Sequence, residues 1–567
     1  MEGPVPIDTI QTYANCDAIT IVWFGKPIKD CRGFALERRV KGQSGTTFID
    51  TYVGFKGEKH SPHDKRPGTE WPVQRYVWSD YFVDPGDQVS YRAVPMVRED
   101  GKLDKAPQSE WSDWSDWEVL GTGQTKNFEA YFNRGIVPAQ WLAHDKPTKD
   151  KLQKDIDTAG SKNRNFLSGK LRPALLDLLK SANSGGVEIY AALYELNDPE
   201  LIAALKALGG RCNLLLGSGA YKGADKKHNK PAEPDENAAV RKDLRLHSSI
   251  NLHDRLVKSP HFAHNKFVVF CDKKGAPATV WTGSTNWTET GLCTQVNNGI
   301  HILSATIADG YRRRWDVLKD AGANYPANVS TDASTLTKDQ IGKVSITAWN
   351  APVTALKDLA YANALIKNCG KGVLFLMFNP GPKNTLLNTI LALDPEKKFV
   401  HGVVNQDPGG SKAPLIKLTH KGKQLPAKSL EAILPAGLQK AGNWFDKTFT
   451  FNRVMIHSKV VVVDPFGPKP VVMTGSHNLG PKASGKNDDN LVIIENAPGL
   501  ATEYAVNILG VYGHYKWLYN LSLRTTTGPK TGVKSAPQYD GNFDDDKWQD
   551  WYQTGENRRE IDFWLGK

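Results

Sequence analysis

The chain is poor in cysteine. Its 6 cysteines, Cys16, Cys31, Cys212, Cys271, Cys293 and Cys369, include no C-x-x-C pair and have no comb of histidines beside them. Neither a zinc site nor a disulfide framework is signalled, and the six read as buried thiols. A run of about 18 apolar residues, the minimum for a membrane-spanning helix, is also missing. The opening residues Met1-Glu2-Gly3-Pro4 lack the basic stretch and apolar core of an export signal. The expectation is a chain without a transmembrane segment, cytoplasmic or exported by a non-classical route.

What is present points to globular folding: 567 residues, 40% of them apolar and 10% aromatic, are more than one core can hold and predict two or three domains. Lys and Arg number 72 against 61 Asp and Glu, a net charge of +11. Such a surface favours anionic partners, either a peripheral membrane face or nucleic acid.

Residues 1–125 read as short strands between turns, at Ala18–Phe24, Gly33–Arg39, Trp71–Phe82, Gln88–Val97 and Trp111–Leu120. Trp23, the segment Ser90-Tyr91-Arg92-Ala93-Val94 and the closing Trp111-Ser112-Asp113-Trp114 resemble a fibronectin type III or immunoglobulin-like sandwich. From residue 126 the pattern turns to alternating helices and apolar strands and then repeats. In 126–345 the order is helix near Leu171–Ala182, strand Val187–Leu193, helix from Pro199 to before Gly209, strand Cys212–Leu216. In 346–525 it is helix near Ala355–Lys367, strand Val373–Phe378, helix near Asn384–Leu393, strand Phe399–Val404. The tail, 526–567, holds Trp548, Trp551, Tyr552 and Trp564, which predict partial docking on the body.

Each half then reaches the same motif. The first copy is His264-Asn265-Lys266 leading into Phe267-Val268-Val269-Phe270, followed by Thr282-Gly283-Ser284-Thr285-Asn286. The second is His457-Ser458-Lys459 leading into Val460-Val461-Val462-Val463-Asp464, followed by Thr474-Gly475-Ser476-His477-Asn478. From His to the Gly-Ser serine is 20 residues in one (264 to 284) and 19 in the other (457 to 476). Register returns beyond, since Asn297-Asn298 lies 13 and 14 residues past Ser284 as Asp489-Asn490 lies past Ser476. A period of two on an extended segment puts each His and Lys on one face, aimed into one site.

These duplicated elements resemble the phospholipase D superfamily, H-x-K-x-x-x-x-D followed by G-S-x-N, over roughly residues 126–525. The second copy matches throughout; in the first, Cys271 stands where the family has Asp, with Asp272 one residue later, which predicts a bulged strand end. The resemblance implies an α/β fold of two pseudo-symmetric halves, mixed sheets flanked by helices, behind the N-terminal β-sandwich. It implies a phosphodiesterase working through a phosphohistidine, with His264 as nucleophile and His457 as acid. Lys266, Lys459, Asn286 and Asn478 would hold the phosphate oxygens, a task otherwise done by a metal, so neither metal nor cofactor is expected. Asp489 and Asn297 are the ring acceptors, with Ser284, Ser476, Asp464 and Asp272 in support. Two motifs in one chain predict a monomer.

The partner is a phosphodiester, with three readings open: a phospholipid headgroup that is hydrolysed or transferred, a nucleic acid cut by an endonuclease, or a phosphate ligand held by an inactive scaffold. Ser284 and Ser476 also read as turn residues. His253, His261, His301 and His477 read as structural or surface groups, His477 being the strongest exception because it lies inside the second motif. Trp281 and Trp287 fit a stacking or lipid-facing role and packing beneath the site equally well.

Overall fold

The computed structural model describes residues 7–59, 64–121, 126–135, 149–219, 235–394, 397–405, 430–433, 455–526 and 541–567. The chain is α/β: two mixed sheets with helices form the body, preceded by antiparallel sheets.

In the N-terminal part, strands Ile7–Ala14, Ile19–Gly25 and Val77–Asp80 form one antiparallel sheet. Strands Cys31–Val40 and Gln88–Glu99 anchor the other. Trp23, Phe34 and Tyr76 pack at the core between them. Two expected strands are shorter than the sequence suggests, Val77–Asp80 within 71–82 and Glu118–Val119 within 111–120. Side chains explain the second. Ser112 and Ser115 hydroxyls accept the Ala93 and Tyr91 amides, replacing ladder bonds. Arg92 lies between the rings of Trp111 and Trp114, and Arg39 between Trp114 and Trp117.

The first half-sheet runs Phe128–Phe132, Asn298–Ile302, Pro277–Gly283, Lys266–Cys271, Ile189–Leu193, Cys212–Gly217, Asn251–Arg255; the last three strands are mutually parallel and the rest antiparallel. The second repeats this as Val344–Asn350, Asn490–Glu495, Val471–Gly475, Lys459–Val463, Gly372–Met377, Phe399–Val404, Leu430–Ile433, with Leu336–Ile341 added outside. Apolar runs such as Val460–Val463 are buried on both faces, as strands covered on each side must be. Alternate residues show it: Phe267, Val269, Val460 and Val462 join one shared core with Tyr311 and Tyr504, from helices Ala305–Ala321 and Pro498–Thr526. Val268 and Phe270 enter an outer core of the first half, Val461 and Val463 one of the second. The two sheets thus face each other across those helices.

The halves are also stitched directly. The Val296 amide donates to Met455 O (2.9 Å) and, in the mirrored place, the Asp488 amide donates to Phe262 O (2.8 Å). Thr282 Oγ1 donates to Asn490 Oδ1 (2.7 Å), and Asn298 Nδ2 to Thr474 Oγ1 (2.8 Å). Arg255 grips Asp488 with two buried bonds, 2.8 and 3.2 Å. Residues 541–567 carry buried Trp548 and Trp564 and exposed Trp551, and the Trp548 indole donates to Cys31 O (3.0 Å). Among the described residues, no helix is long and apolar enough to cross a membrane.

Candidate active site

Both histidines sit just ahead of their strands, which begin at Lys266 and Lys459, so strand periodicity does not place them. The opposite half does. His457 N and Ser458 N donate to Val296 O, both at 2.9 Å. His264 Nδ1 lies 2.6 Å from Asp489 Oδ1, and His457 Nδ1 lies 2.9 Å from Asn297 Oδ1. Each ring is therefore oriented by an acceptor of the other half, and its Nε2 is left for chemistry.

The motif serines brace those acceptors. Ser476 Oγ donates to Asp489 Oδ1 (2.8 Å) and Ser284 Oγ to Asn297 Oδ1 (2.7 Å). The glycines before them are required by close approach: at Gly283 (φ +147°) an added Cβ would lie 2.4 Å from Asn298 O, and at Gly475 (φ +143°) 2.2 Å from Asn490 O.

The lysines mirror each other too. Lys266 Nζ donates to His264 O (2.8 Å) and Lys459 Nζ to His457 O (2.6 Å). Aromatic rings that the motifs did not reveal flank them. Tyr194 lies 4.8 Å from both the His264 ring and Lys266 Nζ, while Phe378 lies 4.7 Å from the His457 ring and 4.8 Å from Lys459 Nζ. Their signal was in the repeat, since each follows the strand that pairs with its lysine, Leu193 opposite Lys266 and Met377 opposite Lys459. Asn286 Nδ2 donates to Glu195 Oε2 (2.6 Å), another residue sequence reading missed. Asn286 Oδ1 and Asn478 Oδ1 are buried without partners among the described residues.

The remaining candidates lie elsewhere. Asp464 ends its strand and accepts the amides of Gly370, Lys371 and Gly372 at 2.5–2.9 Å. Asp272 is exposed and closes its own turn by accepting the Lys274 and Ala276 amides. The register shift of that strand pair falls between Phe270 and Cys271. His477 is buried 3.2 Å from Asp358 and accepts the Leu479 amide, a structural post. His253 edges onto Trp315, His261 stacks on Tyr325, and His301 pairs with Glu129. Trp281 and Trp287 are 1% and 0% exposed, so neither can border a membrane or stack a base.

Charge in the pocket is crowded. Burial pushes His264 down to about 4; Asp489 works against this while Lys266 and Lys459 add to it. Burial and then Lys459 and Lys266 hold His457 well below its ordinary value. Burial brings Lys266 down to about 7, opposed by Asp489 and Glu195, and lowers Lys459 strongly, helped by Lys266. Burial works to raise Asp489, but His264's charge and hydrogen bond outweigh it and keep the carboxyl low. These buried histidines and lysines thus hold fewer protons than they would in water. Below the unfolded lysine pKa this opposes folding, and the penalty eases as pH rises. An anion entering between the lysines favours their charged forms, so proton uptake is expected when sulfate binds at pH 7.5. Calorimetry in buffers of different ionisation enthalpy measures it; a binding enthalpy independent of buffer would contradict this charge assignment.

Two half-domains bringing mirrored, buried His/Lys pairs together through acceptors exchanged between them define a phospholipase D-like phosphodiesterase fold. The chain belongs to that superfamily: the family described as "Cardiolipin synthase, PLD-like domain" matches residues 175–318 and 363–509, together just over half of the chain. Among solved structures, it is similar to polyphosphate kinase from Porphyromonas gingivalis (12% identity, 68% of this chain and 53% of that one, TM-score 0.37). It spans only about half the length of that kinase. It is also similar to phosphatidylserine synthase from Haemophilus influenzae (13%, 61% and 85%, 0.40) and to the phospholipase D family member Nuc from Salmonella typhimurium (16%, 30% and 96%, 0.23). No curated protein is significantly similar in sequence.

Proposed function

We propose that the chain is a metal-independent phosphodiesterase that hydrolyses or transfers phospholipid headgroups through a phosphohistidine on His264. The observation that carries the assignment of roles is the asymmetry of the ring acceptors. A carboxylate, Asp489, faces His264, whereas a neutral amide, Asn297, faces His457. With its Nδ1–H donated to a carboxylate, His264 has a more basic Nε2 and stabilises the positive charge that develops as it attacks.

In the first step Nε2 of His264 bonds to phosphorus, the P–O bond to the alcohol breaks, and Nε2–H of His457 gives its proton to the departing oxygen. In the second, His457 takes a proton from water or an acceptor alcohol, whose oxygen bonds to phosphorus as the P–N bond breaks. Lys266 and Lys459 hold the non-bridging oxygens where charge gathers. Burial favours the neutral form of His457, and the substrate's negative charge supports its protonation.

Both halves in one chain, joined to a β module, favour a lipid over a nucleic acid. Incubation with phosphatidylcholine vesicles and with single- and double-stranded DNA, in EDTA, is expected to release choline without nicking. Nicking without choline release would replace the lipid reading by the nuclease one, and neither product would leave a phosphate-binding scaffold.

A further inference from the structure

Glu195 has no counterpart in the other half. It follows Tyr194 as Asn379 follows Phe378, and these pairs occupy equivalent strand ends. The fold therefore does without a carboxylate at this place. Yet Glu195 is fixed there by Asn286, at 2.6 Å, on the residue expected to hold phosphate. Its carboxylate is partly buried and acts on Lys266 and Lys459 alike. Glu236 adds to the negative field on this side, close enough to act on Glu195. Burial, then Glu236, push Glu195 up to about 7, against the lysines and Asn286. The first half thus adds an acidic wall beside the lysines.

Such a wall makes a choice between substrates. A phosphodiester whose alcohol carries an ammonium places a cation beside Glu195 when its phosphate lies between the lysines. A polynucleotide places another phosphate near the same wall, and like charges brought together at a recognition surface are strongly disfavoured.

We propose that Glu195, held by Asn286, is a specificity-determining residue that admits a phosphodiester of an amino-alcohol and rejects one bearing a second phosphate beside the first. This rests on the phosphodiesterase reading of the same pocket. Glu195→Gln keeps an acceptor for Asn286 and removes only the charge, which separates selection from support.

Two measurements test it. The first is kcat/KM for choline release from phosphatidylcholine against 3,3-dimethylbutanol release from the phosphatidyl ester of that alcohol, an uncharged isostere, so that the departing alcohols differ in the cation. Wild type is expected to prefer the choline ester, and Glu195→Gln to lose about tenfold of that preference, mainly through KM. The second is the affinity ratio of phosphocholine to inorganic phosphate by calorimetry, expected to fall similarly in the variant. Unchanged ratios in Glu195→Gln, or faster wild-type cleavage of oligothymidylate than of the choline ester, would overturn the proposal. Absence of turnover on every ester would instead remove the phosphodiesterase reading, and the binding ratio would still decide the role of Glu195.

Discussion

Replacing His264 with alanine is expected to lower turnover of a chromogenic phosphodiester in EDTA by about 10⁴-fold or more, and to remove any burst of product. The size follows from the role. Without the imidazole there is no nucleophile to form the covalent intermediate, and the two lysines can only polarise a phosphate that nothing attacks. Asp489, Ser476 and Asn487 would remain as a bonded set, since Ser476 Oγ and Asn487 Nδ2 both donate to Asp489, so the pocket keeps its shape. The measurement is steady-state and stopped-flow release of 4-nitrophenol, with folding followed by circular dichroism. Unaltered turnover in a folded His264→Ala chain would end the two-histidine account.

His457→Ala should behave differently, and the difference assigns the roles. An alkoxide leaving group needs the proton that His457 supplies, so cleavage of an alkyl phosphodiester is expected to fall about 10²–10⁴-fold. 4-Nitrophenolate leaves without such help, so the variant should form the intermediate from a 4-nitrophenyl ester and then stall, because the same imidazole activates water. One equivalent of 4-nitrophenol per chain, and a phosphorylated peptide containing residue 264 by mass spectrometry, are the expected signals. A burst from His264→Ala instead, with the label on the peptide containing residue 457, would exchange the two roles. That exchange is the alternative chemistry allowed by a site whose halves mirror one another so closely.

Much of the fold was legible because it rests on local rules. The helix Pro199–Leu208 begins with Pro at its first turn behind the Asp198 cap and ends before Gly209, as the sequence signals. The strand Phe399–Val404 stands where its apolar run predicts. The expected strand at 111–120 shrank because serine hydroxyls and a stack of arginines on tryptophans satisfied the chain by side-chain means, which periodicity does not register.

By itself the sequence determined the repeat, the two sheets it builds and the residue types brought to the candidate site, since apolar alternation and motif spacing are properties of neighbours along the chain. Only the tertiary structure decided which acceptor faces which histidine. That Asp489 serves His264 and that Asn297 serves His457 follow from the half-domains crossing over each other, while the bond from Asn286 to Glu195 follows from folding within the first half. Contacts between residues more than 150 positions apart leave no local periodicity, and it is these contacts that set the charge of each base in the pocket.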